Sequence, residues 1–186
     1  MTNELKIATN ILIEGGILLY PTDTVYGLGC NAYDDKAIDR IAKLKNRQQN
    51  KSYIILVNSA EEIKNLVTNY RKEWEEEISS DRPTTIVYPQ AKNLPKSVIA
   101  EDGSVAIRVI KHPFCNALIN LVKFPLLSTS ANISGEPSPS TFSDIRASIL
   151  QGVDYVVNLP ASQDRVAEPS RILKINNEGE FIVIRD

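Results

Sequence analysis

Histidine is almost absent from this chain: His112, beside Pro113, is the one copy. That scarcity argues against a zinc site and against a histidine-based catalytic triad. Cysteine is scarce too. Cys30 and Cys115 stand far apart with no CxxC pair, which reads as two free thiols in a reducing compartment and points to a cytoplasmic protein. No apolar run approaches the ~20 residues of a membrane span, so no membrane partner is expected. The opening MTNELKIATNILIEGG mixes acids with apolar residues and does not read as a signal peptide. Neither sign of charge dominates. Lys and Arg number 21 against 23 Asp and Glu, a net charge of −2, so there is no global electrostatic reason to bind nucleic acid or a membrane. Repeats with a period of about 20–50 residues are also missing, which excludes solenoids and propellers.

What is present suits one domain over residues 1–186, since a chain of this length can bury roughly 70% of its unfolded surface without disulfides or metal. Residues 3–14 carry Leu5, Ala8, Ile11 and Leu12 at helical spacing and stop at Gly15-Gly16. Ile17 to Tyr20 reads as a short buried strand. A second helix is expected after Asp34, capped by Asp34 or Asp35, with Ala37, Ile38, Ile41 and Leu44 on one face. Tyr53 to Val57 has strand character, and Ser59 with Glu62 forms a capping-box pattern for the next helix. Residues 70–79 read as an acidic helix anchored by Trp74. Thr84–Tyr88, Val105–Ile110 and Leu126–Thr129 suit strands, and Asn116–Val122 and Asp144–Leu150 suit helices. Short strands follow near Tyr155–Val157, Ile172–Ile175 and Phe181–Ile184. This alternation predicts an α/β (α+β) fold, a mixed sheet with helices packed on it.

Charge is unevenly placed. Residues 36–51 hold six basic side chains against Asp39 alone, and residues 61–81 hold seven acids against three bases. A solvated helix face accounts for either run. The basic run, however, ends in the polar stretch KNRQQNKS directly before a strand, where ligand groups commonly sit.

Four segments break the core pattern. YPTDTVYGLGCNA at 20–32 presents Thr22 and Thr24, with Gly27 and Gly29 allowing close approach of backbone. It matches neither the GxxxxGK[ST] nor the GxGxxG loop, and a plain hydrogen-bonded turn explains it equally well. Lys45 and Arg47, one residue apart where a helix ends, can address one polyanion. LSTSANISGEPSPST at 127–141 offers hydroxyl and amide groups, including Ser128, Ser130 and Asn132, which also serve turns and caps. Thr84-Thr85 and Arg108 lie in apolar strands, so their polar groups need partners inside the fold or in a cleft.

YPTDTVYGLG, the Lys-x-Arg at 45–47, Ala106-Ile107-Arg108-Val109 and STSANISGEPS occur in this order, and through them nearly the whole chain resembles the YrdC-like family of L-threonylcarbamoyladenylate synthases in its short single-domain form. The resemblance implies a twisted mixed sheet with a basic concave cleft. It implies an enzyme that makes threonylcarbamoyl-AMP and pyrophosphate from L-threonine, bicarbonate or CO2, and ATP. Partner proteins then transfer the threonylcarbamoyl group to the adenosine beside the anticodon of tRNA. Mg²⁺ would accompany ATP, held by phosphates and water, with no prosthetic group and no protein metal site.

By the same resemblance, Lys45 and Arg47 carry the electrostatic part of catalysis and bind ATP together with Thr85, Arg108, Ser128, Ser130 and Asn132. Thr22, Thr24 and Ser170 contact threonine. As exposed charges, Lys45 and Arg47 should be replaceable by Ala with little change in melting temperature. The chain departs from the family pattern at Arg171 (commonly Thr), at Ser52 (often Pro) and at Asp81-Arg82-Pro83 (commonly Pro-Gly-Pro). Arg171 either reaches a substrate anion or points to solvent, and exposure is the favoured expectation. Two rivals exist within the family. A double-stranded-RNA-binding paralogue would bind RNA directly through the basic run, but net −2 and a single cluster weigh against it. A carbamoyl-transfer module of hydrogenase maturation needs zinc-finger segments that two cysteines cannot build.

Overall fold

The computed structural model describes residues 1–46, 53–159 and 168–186. Among them, the helices are α1 (Thr2–Ile13), α2 (Asp35–Leu44), α3 (Ala60–Leu66), α4 (Glu75–Ser79), α5 (Pro113–Val122) and α6 (Ala147–Gly152). The strands are β1 (Leu18–Tyr20), β2 (Gly27–Asn31), β3 (Ile54–Val57), β4 (Thr84–Tyr88), β5 (Val105–Val109), β6 (Leu126–Ser130), β7 (Tyr155–Val156), β8 (Arg171–Ile175) and β9 (Phe181–Arg185). The strands form one mixed sheet in the order β7-β1-β2-β6-β3-β5-β4-β8-β9. β3 runs parallel to β5 and β4 parallel to β8, while β5–β4, β2–β6 and β3–β6 are antiparallel. This is the mixed α/β fold expected from the sequence.

Side chains alternate across a strand, and here the alternation separates core from cleft. Ile55 and Val57 on β3, Ile86 and Tyr88 on β4, Val105 and Ile107 on β5, and Leu173 and Ile175 on β8 share one core with Ile38, Ile41, Ile63 and Trp74. Their neighbours Ile54, Leu56, Thr85, Val87, Ala106, Arg108 and Ile172 line a cavity. Farther along the sheet, Ala8 and Leu12 of α1 pack with Phe114, Cys115, Leu118 and Ile119 of α5 in a second cluster. A third joins Leu19, Leu28 and Ala131 to Ile145 and Ile149 near α6.

Local chemistry sets the element ends. Asp34 caps α2 by accepting from the amides of Lys36 and Ala37 at 3.0 and 3.1 Å. Ser59 caps α3 through the Glu62 amide at 3.4 Å, while the Glu62 carboxylate accepts from the Asn58 amide at 3.3 Å. Proline opens α5 at Pro113, three residues before the expected start, because its fixed φ and missing N–H cost nothing in a first turn. The acidic segment 70–79 is a 3₁₀ turn at Lys72–Trp74 followed by short α4. Trp74 anchors it as expected, edge-on to Tyr70 and Tyr88 and donating to the Gly179 carbonyl at 2.9 Å. The helix expected at 144–150 is α6, three residues later, after a 3₁₀ turn closed by a Thr141–Asp144 capping box.

Strand β2 was not anticipated, since GLGCN has low strand propensity. It forms because its glycines let the Tyr20 ring lie across the strand. A Cβ on Gly29 would stand 2.7 Å from the Tyr20 hydroxyl and 3.0 Å from the Leu127 carbonyl oxygen.

Candidate active site

A cavity of about 370 Å³ opens over the sheet face that β3, β4, β5 and β8 leave uncovered. Its floor is apolar, with Ile54, Leu56, Val87, Ala106 and Ile172. Its rim comes from the loop between β1 and β2, the end of β6, the segment before β8 and the last strand. Seven of the residues singled out from the sequence line it together: Thr22, Thr24, Thr85, Arg108, Ser128, Ser130 and Ser170.

The β1–β2 loop holds its own shape. The Thr22 hydroxyl donates to the Val25 carbonyl at 2.7 Å and accepts from the Thr24 amide at 3.0 Å, with the two threonine hydroxyls 3.0 Å apart. Arg108 rises from β5 beneath this loop, 5% exposed, and its Nη1 donates to Thr24 Oγ1 at 3.0 Å. Its Nη2 lies 3.2 Å from Asp23 Oδ1, and the Asp23 side chain is 8% exposed. Across the cavity the buried hydroxyls of Thr85 and Ser170 share a hydrogen bond of 2.8 Å. Arg185 donates to the Ser170 carbonyl through Nε and Nη2 at 3.0 and 2.6 Å. Burial, and then the neighbouring Arg108 charge, lower the pKa of Arg185 below the usual arginine value. Ser128 accepts from the Tyr20 hydroxyl at 2.9 Å. Burial pushes that phenol far above its usual range, so it remains a donor.

Two expected site residues sit elsewhere. Asn132 lines a second cavity of about 480 Å³ with Glu136, Ser140, Asp144 and Arg146, and Ser138 borders both cavities. Its amide donates to the carbonyls of Ile133 and Glu136 at 3.1 and 2.6 Å, and its Oδ1 accepts from the Ser130 hydroxyl.

Lys45 lines neither cavity. The expectation of an exposed charge fails here: Lys45 is 2% exposed at the end of α2. Its ammonium donates to the Ser130 carbonyl, to the Asn132 carbonyl at 2.5 Å and to Asn132 Oδ1 at 3.3 Å. Its own carbonyl accepts from the Ser134 amide at 2.8 Å. A buried ammonium needs several acceptors, and the turning 130–134 segment supplies them. Arg47 and the Ser52 departure lie outside the described residues.

Arg171 meets neither expectation. It is on the strand face away from the cavity, paired with Glu77 at 2.7 Å and within 3.7 Å of Asp186. Its neighbours Ser170 and Ile172 face the cavity, so alternation along β8 turns Arg171 towards α4. In the Asp81-Arg82-Pro83 departure, Arg82 pairs with Asp186 at 2.6 Å, away from the cavity.

Asp23, Tyr26, Ser138 and Arg185 were missed. Asp23 stood inside the threonine motif. Arg185 closes the apolar run FIVIR as Arg108 closes VAIR, and a cation in such a strand was the available signal. The two cysteines are buried free thiols. Burial pushes Cys30 up to about 12 and Cys115 higher still, so neither is a nucleophile at neutral pH. His112, 3.7 Å from the Cys115 sulfur, has its pKa lowered, chiefly by burial.

Hydroxyls and guanidiniums thus surround an apolar floor, a lining whose donors suit small polar anions. Residues 10–186 match the Sua5_yciO_yrdC family model, described as telomere recombination, and the chain belongs to this family. It is 37% identical over 142 residues to the threonylcarbamoyl-AMP synthase of Hydrogenovibrio crunogenus, covering 74% of this chain and 76% of that one. It is 31% identical over 187 residues to the threonylcarbamoyl-AMP synthase of Pseudoalteromonas translucida, covering 97% and 99%. The structure of P. abyssi Sua5 complexed with L-threonine superposes with a TM-score of 0.81 at 28% identity, over 97% of this chain. The chain spans about half of that protein, 53% of its length. Among the described residues no helix is long and apolar enough to cross a membrane.

Proposed function

We infer that the protein is an L-threonylcarbamoyladenylate synthase, joining L-threonine, bicarbonate or CO2, and ATP into threonylcarbamoyl-AMP and pyrophosphate. The observation that carries this reading is the convergence of Thr22, Thr24, Thr85, Arg108, Ser128, Ser130 and Ser170 on one cavity. The likeness to two threonylcarbamoyl-AMP synthases over most of the chain supports it.

The chemistry suits the groups present. The threonine amine adds to CO2 to give a carbamate. A carbamate oxygen then attacks the α-phosphorus of ATP, the new P–O bond forms, and the bond to the β-phosphate breaks to release pyrophosphate. The attacking electrons come from the substrate, so buried, protonated thiols are no obstacle. The protein's task is to align the reactants and offset negative charge. Thr22, Thr24 and Ser170 hold threonine by hydrogen bonds. Arg108 and Arg185 offset carboxylate and phosphate charge. Ser128, Ser130 and Asn132 hold the nucleotide, with Lys45 shaping their segment from below and Arg47 addressing the triphosphate. ATP brings Mg²⁺ bound to its phosphates and water, which fits a cleft of hydroxyls, amides and guanidiniums. The product is a reactive mixed anhydride, to be consumed by proteins that transfer the threonylcarbamoyl group to tRNA.

The RNA-binding alternative has less support. Within the basic run, Arg40 pairs with Asp154 at 2.9 Å and Lys45 is buried, which removes two charges from any RNA surface.

The test is a reaction with ATP, L-threonine and bicarbonate, following pyrophosphate and the adenylate. Pyrophosphate release should need threonine and bicarbonate together. Equal release without threonine would overturn this reading.

A further inference from the structure

We propose that Asp23 is the positioning residue of the cleft, fixing the direction in which the Arg108 guanidinium faces the substrate. The proposal rests on the synthase reading above for its kinetic arm and on geometry alone for its structural arm.

Arg108 and Asp23 come from different elements, the end of β5 and the β1–β2 loop, and they meet below the cavity. The carboxylate is pinned on one side, where Oδ2 accepts from the Lys111 amide at 3.2 Å. Its Oδ1 faces Arg108 Nη2 at 3.2 Å and has no hydrogen-bond partner among the described residues. The guanidinium is thus held at two corners, by charge at Nη2 and by the Thr24 hydroxyl at Nη1. Its buried Nε has no hydrogen-bond partner among the described residues.

The arrangement has a physical reason. Arg108 and Arg185 line the same cavity, and the Arg108 charge acts on Arg185. Arg185 has no carboxylate partner among the described residues and is held by the Ser170 carbonyl. Two like charges beside an apolar floor repel, and the more deeply buried one needs a counter-charge to stay in place. Asp23 supplies it from behind, so the cleft keeps a fixed guanidinium and one net positive charge towards an anionic substrate. Asp23 does not line the cavity. It acts through Arg108 and, by the peptide link, on the Thr22–Thr24 turn.

The experiment compares Asp23→Asn, Asp23→Glu, Arg108→Gln and the Asp23→Asn/Arg108→Gln double variant. Asp23→Asn keeps shape and an acceptor for the Lys111 amide but removes the charge. It should lower kcat/KM by about ten- to a hundredfold, the scale of one lost charge-assisted contact. Asp23→Glu should recover part of that loss. The double variant should be no worse than Arg108→Gln alone, because the carboxylate has nothing left to position. A second readout needs no turnover. The Nε–Hε NMR signal of Arg108, assigned by its disappearance in Arg108→Lys, should shift or broaden in Asp23→Asn while other arginine signals hold. If wild-type protein makes no adenylate, the synthase reading fails and this signal alone decides the role of Asp23. Unchanged kinetics and an unchanged Arg108 signal in Asp23→Asn would overturn the proposal, as would additive losses in the double variant. An isosteric Asp23→Asn variant that does not fold would also overturn it, by making the carboxylate a folding device.

Discussion

The Lys45 ammonium lies 2.5 Å from the Asn132 carbonyl oxygen, beneath the segment that borders both cavities. This contact ties the end of α2 to the chain after β6, and the Ser134 amide returns the link through the Lys45 carbonyl. Replacing Lys45 by Ala would leave buried carbonyls without a donor and a void where the side chain ran. The expected cost is about 2–3 kcal/mol, or a fall in Tm of roughly 4–12 °C for a chain of this size. Thermal unfolding of Lys45→Ala checks it. ATP affinity should fall with it, since the segment that carries Ser130 and Asn132 loses its support. A Tm within 1 °C of wild type would return Lys45 to the exposed role expected from the sequence.

The burial of Lys45 was partly legible. Ile38, Ile41 and Lys45 recur at helical spacing, so the face that carries the isoleucines into the core carries the lysine with them. What no periodicity could state is that the Ser130–Asn132 segment would present carbonyls there, because that partner lies 85 residues away. The same limit explains the other differences. The apolar runs of β3, β4 and β5 were readable because burial on one face shows in residue type. β2 was not, since its glycines answer to the Tyr20 ring on the neighbouring strand. Thr22, Thr24 and Arg108 stood out as polar groups in apolar or turning surroundings. Arg185 did not, because a cation near a chain end has solvation as its simplest explanation.

Arg171→Thr separates the two readings that the sequence left open. The side chain pairs with Glu77 on the side of β8 away from the cavity, so KM for ATP and for threonine should both stay within about twofold of wild type. Stability should fall by about 0.5–1 kcal/mol, the range for a partly exposed ion pair. Steady-state kinetics and urea unfolding measure the two quantities. A several-fold rise in either KM would place the guanidinium on the substrate side and contradict the observed pairing.

The buried thiols predict how stability depends on alkaline pH. Burial raises Cys30 from 9.0 to about 12 and moves Cys115 the same way, so the native state keeps these protons to a higher pH than the unfolded chain does. The stabilisation is therefore fully present below about pH 9. It is lost as pH rises from there towards 12, where the unfolded chain holds fewer protons than the native one. Each thiol contributes a slope of at most ~1.4 kcal/mol per pH unit. Tyr20 and Tyr88, raised mainly by burial, add to the fall once pH passes their ordinary value near 10.0. Urea unfolding at about pH 8, 9 and 10 should show a modest loss of stability over the first interval and a loss about threefold larger over the second. A Cys30→Ala/Cys115→Ala variant, less stable at neutral pH because of the volume removed, should show a shallower fall between about pH 9 and 10 than wild type does. Equal slopes in the two proteins would mean that the thiols ionise in the folded state as readily as in the unfolded chain, against the depth at which both are buried.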